Sequence, residues 1–194
     1  MALARATERR GDRQLLGLAP ESLSRHTGPM ARLFVAIWPP DDVLDLLADM
    51  DRPKDQGVKW VPQENLHITL RFLGDADIDD VIDRLDQVLL PAATAVVGPA
   101  FDLLGERSLI SPVAGVDDLA AVVQQALRGL GTERERKRFQ GHITVARLAR
   151  RARPDRSAGR RLDATFDVTE VALVASTLHD TGAVYETVAT WPTR

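Results

Sequence analysis

The same strand-like tripeptide occurs twice in this 194-residue chain, and that repeat limits the folds open to it. Leu66-His67-Ile68-Thr69-Leu70 and Gly141-His142-Ile143-Thr144-Val145 stand 75 residues apart. Each follows a helical pattern and a connector. Side chains alternate across a strand, so His67 and Thr69 share one face, about 6–7 Å apart, while Ile68 points to the other. His142 and Thr144 do the same around Ile143. A chain with two such halves is expected to bring them together about a pseudo-twofold axis, so that both His/Thr pairs line one cleft. The chain has four histidines, and these two account for half of them. His26 and His179 show no partner pattern and read as structural or surface residues. A lone strand histidine is usually a hydrogen-bonded core residue. The repetition of the whole motif is what favours a shared site.

A phosphate group suits that cleft. Histidine titrates near 6.5, so one imidazole can be neutral while another is protonated at neutral pH. The neutral ring can take a proton from an attacking water, and the protonated ring can give one to the leaving oxygen. The threonine hydroxyls can donate to non-bridging oxygens and hold the phosphate still. This chemistry calls for no metal and no cofactor. The sequence has no His-Glu-x-x-His, no His-x-His and no cysteine, so thiolate zinc sites, disulfides and cysteine nucleophiles are excluded.

Hydropathy patterning places the motifs. Arg32 to Trp38 is a short apolar run stopped by Pro39-Pro40, expected as a buried strand. A helix is expected over Val43 to Met50, a short strand at Val58 to Val61 and a stronger one from Asn65 to Leu73. A helix over Ile78 to Leu90 follows. The second half repeats the order: a strand pair at Phe101 to Leu104 and Leu109 to Val113, a helix over Asp117 to Leu130, and a strand from Phe139 to Leu148. An Arg-rich connector runs from Ala149 to Asp163. The last strands are expected at Phe166 to Ala175 and Val184 to Trp191, with a turn at Asp180-Thr181-Gly182.

The net charge is −3, which does not mark the whole chain as a nucleic-acid binder. Between Glu133 and Arg161, however, eleven Lys or Arg stand against three acids. Charge concentrated in this way can bind phosphate in an acidic chain, and RNA held by it would bind in a salt-sensitive manner. The alternative is a solvated loop in a chain with 22 Arg and three Lys. Residues 1–29 lack sustained periodicity and read as a disordered tail or extension, leaving 30–194 as a single domain. Apolar runs are too short for a membrane span. A cytoplasmic monomer is the expectation.

At this level of detail the chain resembles a known group. Trp60-Val61-Pro62 followed by Asn65-Leu66-His67-Ile68-Thr69-Leu70-Arg71-Phe72-Leu73-Gly74 is similar to the first signature of the two-histidine (2H) phosphoesterases. Within that group it resembles the bacterial and archaeal RNA 2′,3′-cyclic phosphodiesterases, once called 2′-5′ RNA ligases. Arg138-Phe139-Gln140-Gly141-His142-Ile143-Thr144-Val145-Ala146-Arg147 resembles the second signature. The opening Arg32 to Ile37 and the closing Gly182 to Glu186 match as well. The resemblance implies a bilobal α+β fold, with two pseudo-symmetric lobes of antiparallel strands and flanking helices around a central cleft. It implies opening of a ribose 2′,3′-cyclic phosphate to a 2′-phosphate, with His67 as the general acid at O3′ and His142 as the general base on water. Ligation would be the reverse type of chemistry, with an RNA hydroxyl in place of water. One departure is Gly141, where the family commonly has Pro.

Further residues are candidates with plain alternatives. Arg147 matches a phosphate-contacting arginine of the family, but strict alternation from His142 puts it on the wrong face unless a bulge intervenes. Arg71 shares the face of His67 by alternation and could meet RNA phosphate or form a rim ion pair. Phe34, Trp60 and Tyr185 could stack on a terminal base or simply pack. The implied partner is RNA ending in a 2′,3′-cyclic phosphate. Competing readings are a 2H enzyme acting on 2′-5′ oligonucleotides or small cyclic nucleotides, and a nucleotide- or RNA-binding module without turnover.

Overall fold

In the computed structural model, two antiparallel four-strand units meet along the repeated motifs. The structure describes residues 32–50, 52, 57–134, 138–150, 152, 158–180 and 182–194. In chain order the elements are β1 (Arg32–Ile37), α1 (Asp41–Ala48), β2 (Val58–Trp60), a 3₁₀ turn (Gln63–Asn65), β3 (Ile68–Gly74), α2 (Ile78–Asp86), β4 (Ala93–Val97), β5 (Asp102–Leu104), β6 (Ser108–Ala114), α3 (Asp117–Ala126), β7 (His142–Leu148), β8 (Ala164–Val168), β9 (Glu170–His179) and β10 (Gly182–Pro192). The strands run β10-β9-β1-β3-β7-β6-β4-β8, with β2 added to β7 and β5 to β6. Read outward from the β3/β7 seam, each half has the same plan. β3 pairs with β1 and β1 with β9, while β7 pairs with β6 and β6 with β4. A helix follows the second strand of each half, α1 after β1 and α3 after β6. The expected bilobal α+β architecture is what the chain adopts.

The helices form where the sequence supplies apolar stripes and acidic first turns. α1 buries Val43 and Leu47, and α3 buries Leu119, Ala120 and Val123. α2 starts at Asp77, whose carboxylate accepts from the amides of Asp79 (2.9 Å) and Asp80 (3.2 Å) and so satisfies two orphan donors. Their apolar faces cover one side of the sheet, where Leu33, Val35, Ile37, Ile68 and Ile143 join the main core. The other side carries a smaller cluster of Phe34, Ala36, Ala172 and Val174, flanked by Trp38 and Tyr185. That second side holds the cleft.

Several expected boundaries shift. β3 begins at Ile68 rather than Asn65, because the chain after Pro62 closes a 3₁₀ turn in which Leu66 N–H donates to the Gln63 carbonyl. α2 ends at Asp86 and α3 at Ala126, both short of the apolar periodicity. The expected strand at 166–175 is two strands, β8 against β4 and β9 against β1 on opposite halves. β4 itself carried no clear signal. The tail at 1–29 lies outside the described residues, as do residues 151 and 153–157 of the Arg-rich connector.

Gly141 has a steric reason. A Cβ there would stand 2.4 Å from the Val113 carbonyl oxygen and 3.4 Å from Val116. Val113 and Gly141 are also joined by a hydrogen bond from Val113 N–H to the Gly141 carbonyl. A side chain there would wedge β6 from the start of β7. Gly141→Ala is expected to destabilise the fold by about 1–3 kcal/mol, the usual cost of overpacking, read as a lower urea midpoint. A midpoint equal to wild type would show that the strands part without cost.

Candidate active site

The two motifs face each other at the centre of the sheet. β3 and β7 pair antiparallel through Ile68↔Ile143, the middle residues of the two tripeptides. Both isoleucines are fully buried on the helix-covered side. His67, Thr69, His142 and Thr144 flank them and are half-buried on the cleft side. Antiparallel register then sets His67 toward Thr144 and Thr69 toward His142, so each imidazole has a hydroxyl from the opposite half beside it.

Each ring is oriented in the same way. Nδ1 of His67 lies 2.8 Å from the Asn65 carbonyl, and Nδ1 of His142 lies 2.8 Å from the Gln140 carbonyl. A carbonyl can only accept, so Nδ1 carries the proton in both. The other ring nitrogen of each imidazole is Nε2. Asn65 is itself tied down, since its side-chain amide donates to the Ala183 carbonyl of β10 at 3.1 Å. The repeat therefore extends beyond residue type to the hydrogen bond that orients each ring.

The surroundings of the two rings differ. His67 packs among Phe34 (centroids 4.8 Å), Trp38 (5.6 Å) and Tyr185 (5.3 Å). This desolvation, with smaller contributions from the charges of Arg147 and His142, lowers its pKa from 6.5 to about 4; the Asn65 carbonyl opposes the shift. In the absence of a ligand His67 is neutral at neutral pH. Burial also raises the Tyr185 pKa, partly countered by Arg147, so its hydroxyl keeps its proton.

The low His67 pKa makes stability depend on pH. Above about 6.5 the folded and unfolded states bind this proton equally little. Between 6.5 and 4 the unfolded chain takes up a proton that the folded chain refuses, so stability falls as pH falls. The loss is on the order of 2–3 kcal/mol, less where solvent screens the half-buried residue. Urea unfolding at pH 7.5 and 4.5 is expected to show His67→Gln losing about 2 kcal/mol less than wild type on acidification. Equal losses would contradict the assignment.

Arg147 reaches the cleft through a bulge. β6 pairs Ser108↔Arg147, Leu109↔Ala146 and Ile110↔Thr144, leaving one extra residue at Val145. Val145 and Ala146 are both buried, and alternation restarts one step later with Arg147 on the side of His142 and Thr144. The guanidinium donates to Ser108 Oγ at 3.0 Å, and its field acts on both His67 and Tyr185. β3 carries the matching bulge. β1 pairs Ala36↔Thr69 and Val35↔Arg71, leaving Leu70 as the extra residue.

That bulge overturns the alternation expected for Arg71. Arg71 pairs with core-facing Val35 and is 7 % exposed, yet it still borders the groove that Thr69 and His142 line. Phe72 takes the place on the cleft face. Trp60 is also corrected: it is half-buried against the main core, with the Arg52 guanidinium 5.9 Å above its ring, and it is not brought to the cleft. Phe34 is in the cleft region but 2 % exposed, so it backs His67 and offers little surface to a ligand. Tyr185 stands edge-on to His67. Trp38 was not singled out from the sequence, although it shares parity with Phe34 along β1; its indole N–H donates to Thr187 Oγ1 at 3.2 Å. Among the described residues no group of three or more His, Asp and Glu side chains is arranged to hold a metal ion.

The structure thus brings His67, His142, Thr69, Thr144 and Arg147 together at the centre of the sheet. Comparison with known proteins gives the class. A family model described as LigT like Phosphoesterase matches residues 37–97. An RNA 2′,3′-cyclic phosphodiesterase of Archaeoglobus fulgidus is 34% identical over 135 residues, covering 62% of this chain and 74% of that protein. One of Methanocaldococcus jannaschii is 29% identical over 174 residues, covering 82% and 99%. The fold is shared with E. coli LigT complexed with 3′-AMP (TM-score 0.68, 24% identity, 86% of this chain and 99% of that one). It is shared also with a Thermus thermophilus protein (TM-score 0.63, 27% identity, 84% and 98%). The chain belongs to the LigT-like phosphoesterase family and is a hydrolase of the 2H group. None of its described helices is long and apolar enough to cross a membrane.

Proposed function

We propose that the protein hydrolyses RNA 2′,3′-cyclic phosphate ends to 2′-phosphates without a metal ion, with His67 and His142 as the proton-transfer pair. The observation that carries this reading is the symmetric pair of rings, each with Nδ1 held by the carbonyl two residues before it. The names of the curated relatives support the substrate class. The water oxygen attacks phosphorus while Nε2 of His142 takes its proton. The P–O3′ bond breaks as Nε2–H of His67 protonates O3′. Thr69, Thr144 and Arg147 hold the non-bridging oxygens, and the product carries a 2′-phosphate and a 3′-hydroxyl. Solvent then resets the two rings.

His67 is neutral in the empty site, so it acquires its acid proton with the substrate. A phosphodiester anion beside a desolvated imidazole favours the charged ring and raises its pKa. A second reading exchanges the roles, and the neutral His67 is the observation that favours it. A cyclic substrate with sulfur in the 3′ bridging position separates them, because a thiolate leaves without a proton. His67→Ala is expected to regain most of its lost rate on that substrate, and His142→Ala is not. The opposite pattern would exchange acid and base.

A further inference from the structure

The two halves pair through a single position, and just beyond it the sheet splits. β3 and β7 are joined at Ile68↔Ile143. Past Thr69 and His142 no further strand pairing joins them among the described residues, and the Gln124 side-chain amide of α3 donates instead to the Leu70 carbonyl at 3.1 Å. Farther out, the amides of Thr132 and Glu133 donate to the Leu73 carbonyl at 2.8 and 3.0 Å and close the split at its outer end. The result is a groove of about 260 Å³ that starts at Thr69 and His142. Three arginines line it, each from a different part of the chain. Arg32 opens β1, Arg71 lies on β3 and Arg134 follows the closing turn. Arg32 shares the face of Phe34 and Ala36 along β1, so it extends the cleft side of that strand. Glu133 is the one acid among the lining residues, which leaves the groove cationic.

Resting on the proposed substrate class, we infer that this groove is a second phosphate subsite, which takes the phosphate on the 5′ side of the terminal nucleotide. The reacting phosphate has its own partners in Thr69, Thr144 and Arg147, and Arg147 does not line the groove. The three groove arginines are therefore a separate set of cations. The proposed reaction fixes the direction. O3′ departs toward His67, so the ribose lies over the first half, whose strands β1 and β3 lead outward to Arg32. Ala36 pairs with Thr69, and Arg32 lies four residues away from it, about 13 Å along the strand. A guanidinium reaches back over part of that length, which sets the subsite one nucleotide from the reacting phosphorus. Guanidiniums offer planar forks of donors that match phosphate oxygens. Three of them converging on one narrow groove raise a local positive potential that a solvated rim charge does not. The 5′ phosphate can be the next phosphodiester of an RNA chain or the monoester of a free nucleotide.

The test measures kcat/KM on two pairs of substrates that differ in one charge. The first pair is adenosine 2′,3′-cyclic phosphate with and without a 5′-phosphate. The second is adenylyl-adenosine 2′,3′-cyclic phosphate with a natural or an uncharged methylphosphonate linkage. Wild type is expected to favour the charged member about tenfold, the scale of a charge-assisted phosphate contact. A gain in the first pair alone assigns the subsite to a free nucleotide, and a gain in the second assigns it to the RNA chain. The gain should shrink as salt rises and should be lost in Arg32→Gln/Arg134→Gln. A fold defect lowers both members of a pair alike and leaves the gain standing. Both residues are exposed, and Arg134→Gln alone repeats the test outside any helix or strand. Equal rates within both pairs in wild type, or a gain that survives in the double variant, would overturn the subsite. If wild type hydrolyses none of the four, the proposed reaction fails. Calorimetric affinities for adenosine 2′,5′-bisphosphate against adenosine 2′-monophosphate then decide the subsite alone. Tighter binding of the bisphosphate that the double variant loses supports it, and equal affinities in wild type or a preference that survives in the variant overturn it.

Discussion

His67→Ala and His142→Ala are each expected to lower kcat on a 2′,3′-cyclic phosphate by about 10²–10⁴-fold, the range for loss of one general acid or base. Each ring has one nitrogen held by a backbone carbonyl two residues before it, so under the proposed mechanism no neighbour can substitute without moving the strand. The two act in one step, and the double variant should therefore fall little below the worse single variant. His67→Ala also opens a gap among Phe34, Trp38 and Tyr185, so His67→Gln serves as its folded control. Single-turnover rates with circular dichroism as a fold check measure this. A variant that keeps a tenth or more of the rate would remove its histidine from the mechanism.

Arg147→Ala is expected to lower kcat/KM about 10²-fold, the scale for losing one preorganised donor to a developing anion. Arg147→Lys should recover only part of that loss. A lysine offers a point charge and not the planar fork that donates to Ser108 Oγ and, under the proposed mechanism, would also reach a phosphate oxygen. The same substitution has a readout independent of turnover. The charge of Arg147 helps depress the His67 pKa, so its removal should move the His67 titration upward from about 4. NMR titration of the imidazole in wild type and Arg147→Ala checks this, and an unmoved titration would place Arg147 outside the cleft.

The histidine pair was legible because a two-residue period carries it onto one face whatever the surrounding fold does. The limits of that legibility lie at the bulges. Alternation put Arg147 on the wrong face and Arg71 in the open beside His67; a single extra residue on each strand returned Arg147 to the cleft and buried Arg71 at the groove's border. In β7 the bulge leaves a faint trace, the consecutive apolar residues Val145 and Ala146. In β3 the second bulge residue is Arg71, whose charge disguises a buried position, and so Phe72 went unnoticed. β4 was missed because Ala93 to Val97 alternates weakly and is defined by pairing with β6 and β8, both distant in sequence. Trp60 drew attention as an aromatic beside the motif, yet its pairing with Ala146 on β2 places it with the core.

The central claim is most directly tested by incubating an oligoribonucleotide ending in a 2′,3′-cyclic phosphate with the full chain in EDTA and following the phosphorus resonance of the product. Complete conversion to a 2′-phosphate is expected, abolished in His67→Gln and His142→Ala. A 3′-phosphate product would reverse the leaving oxygen, and conversion that survives either substitution or stops in EDTA would contradict a metal-independent two-histidine mechanism.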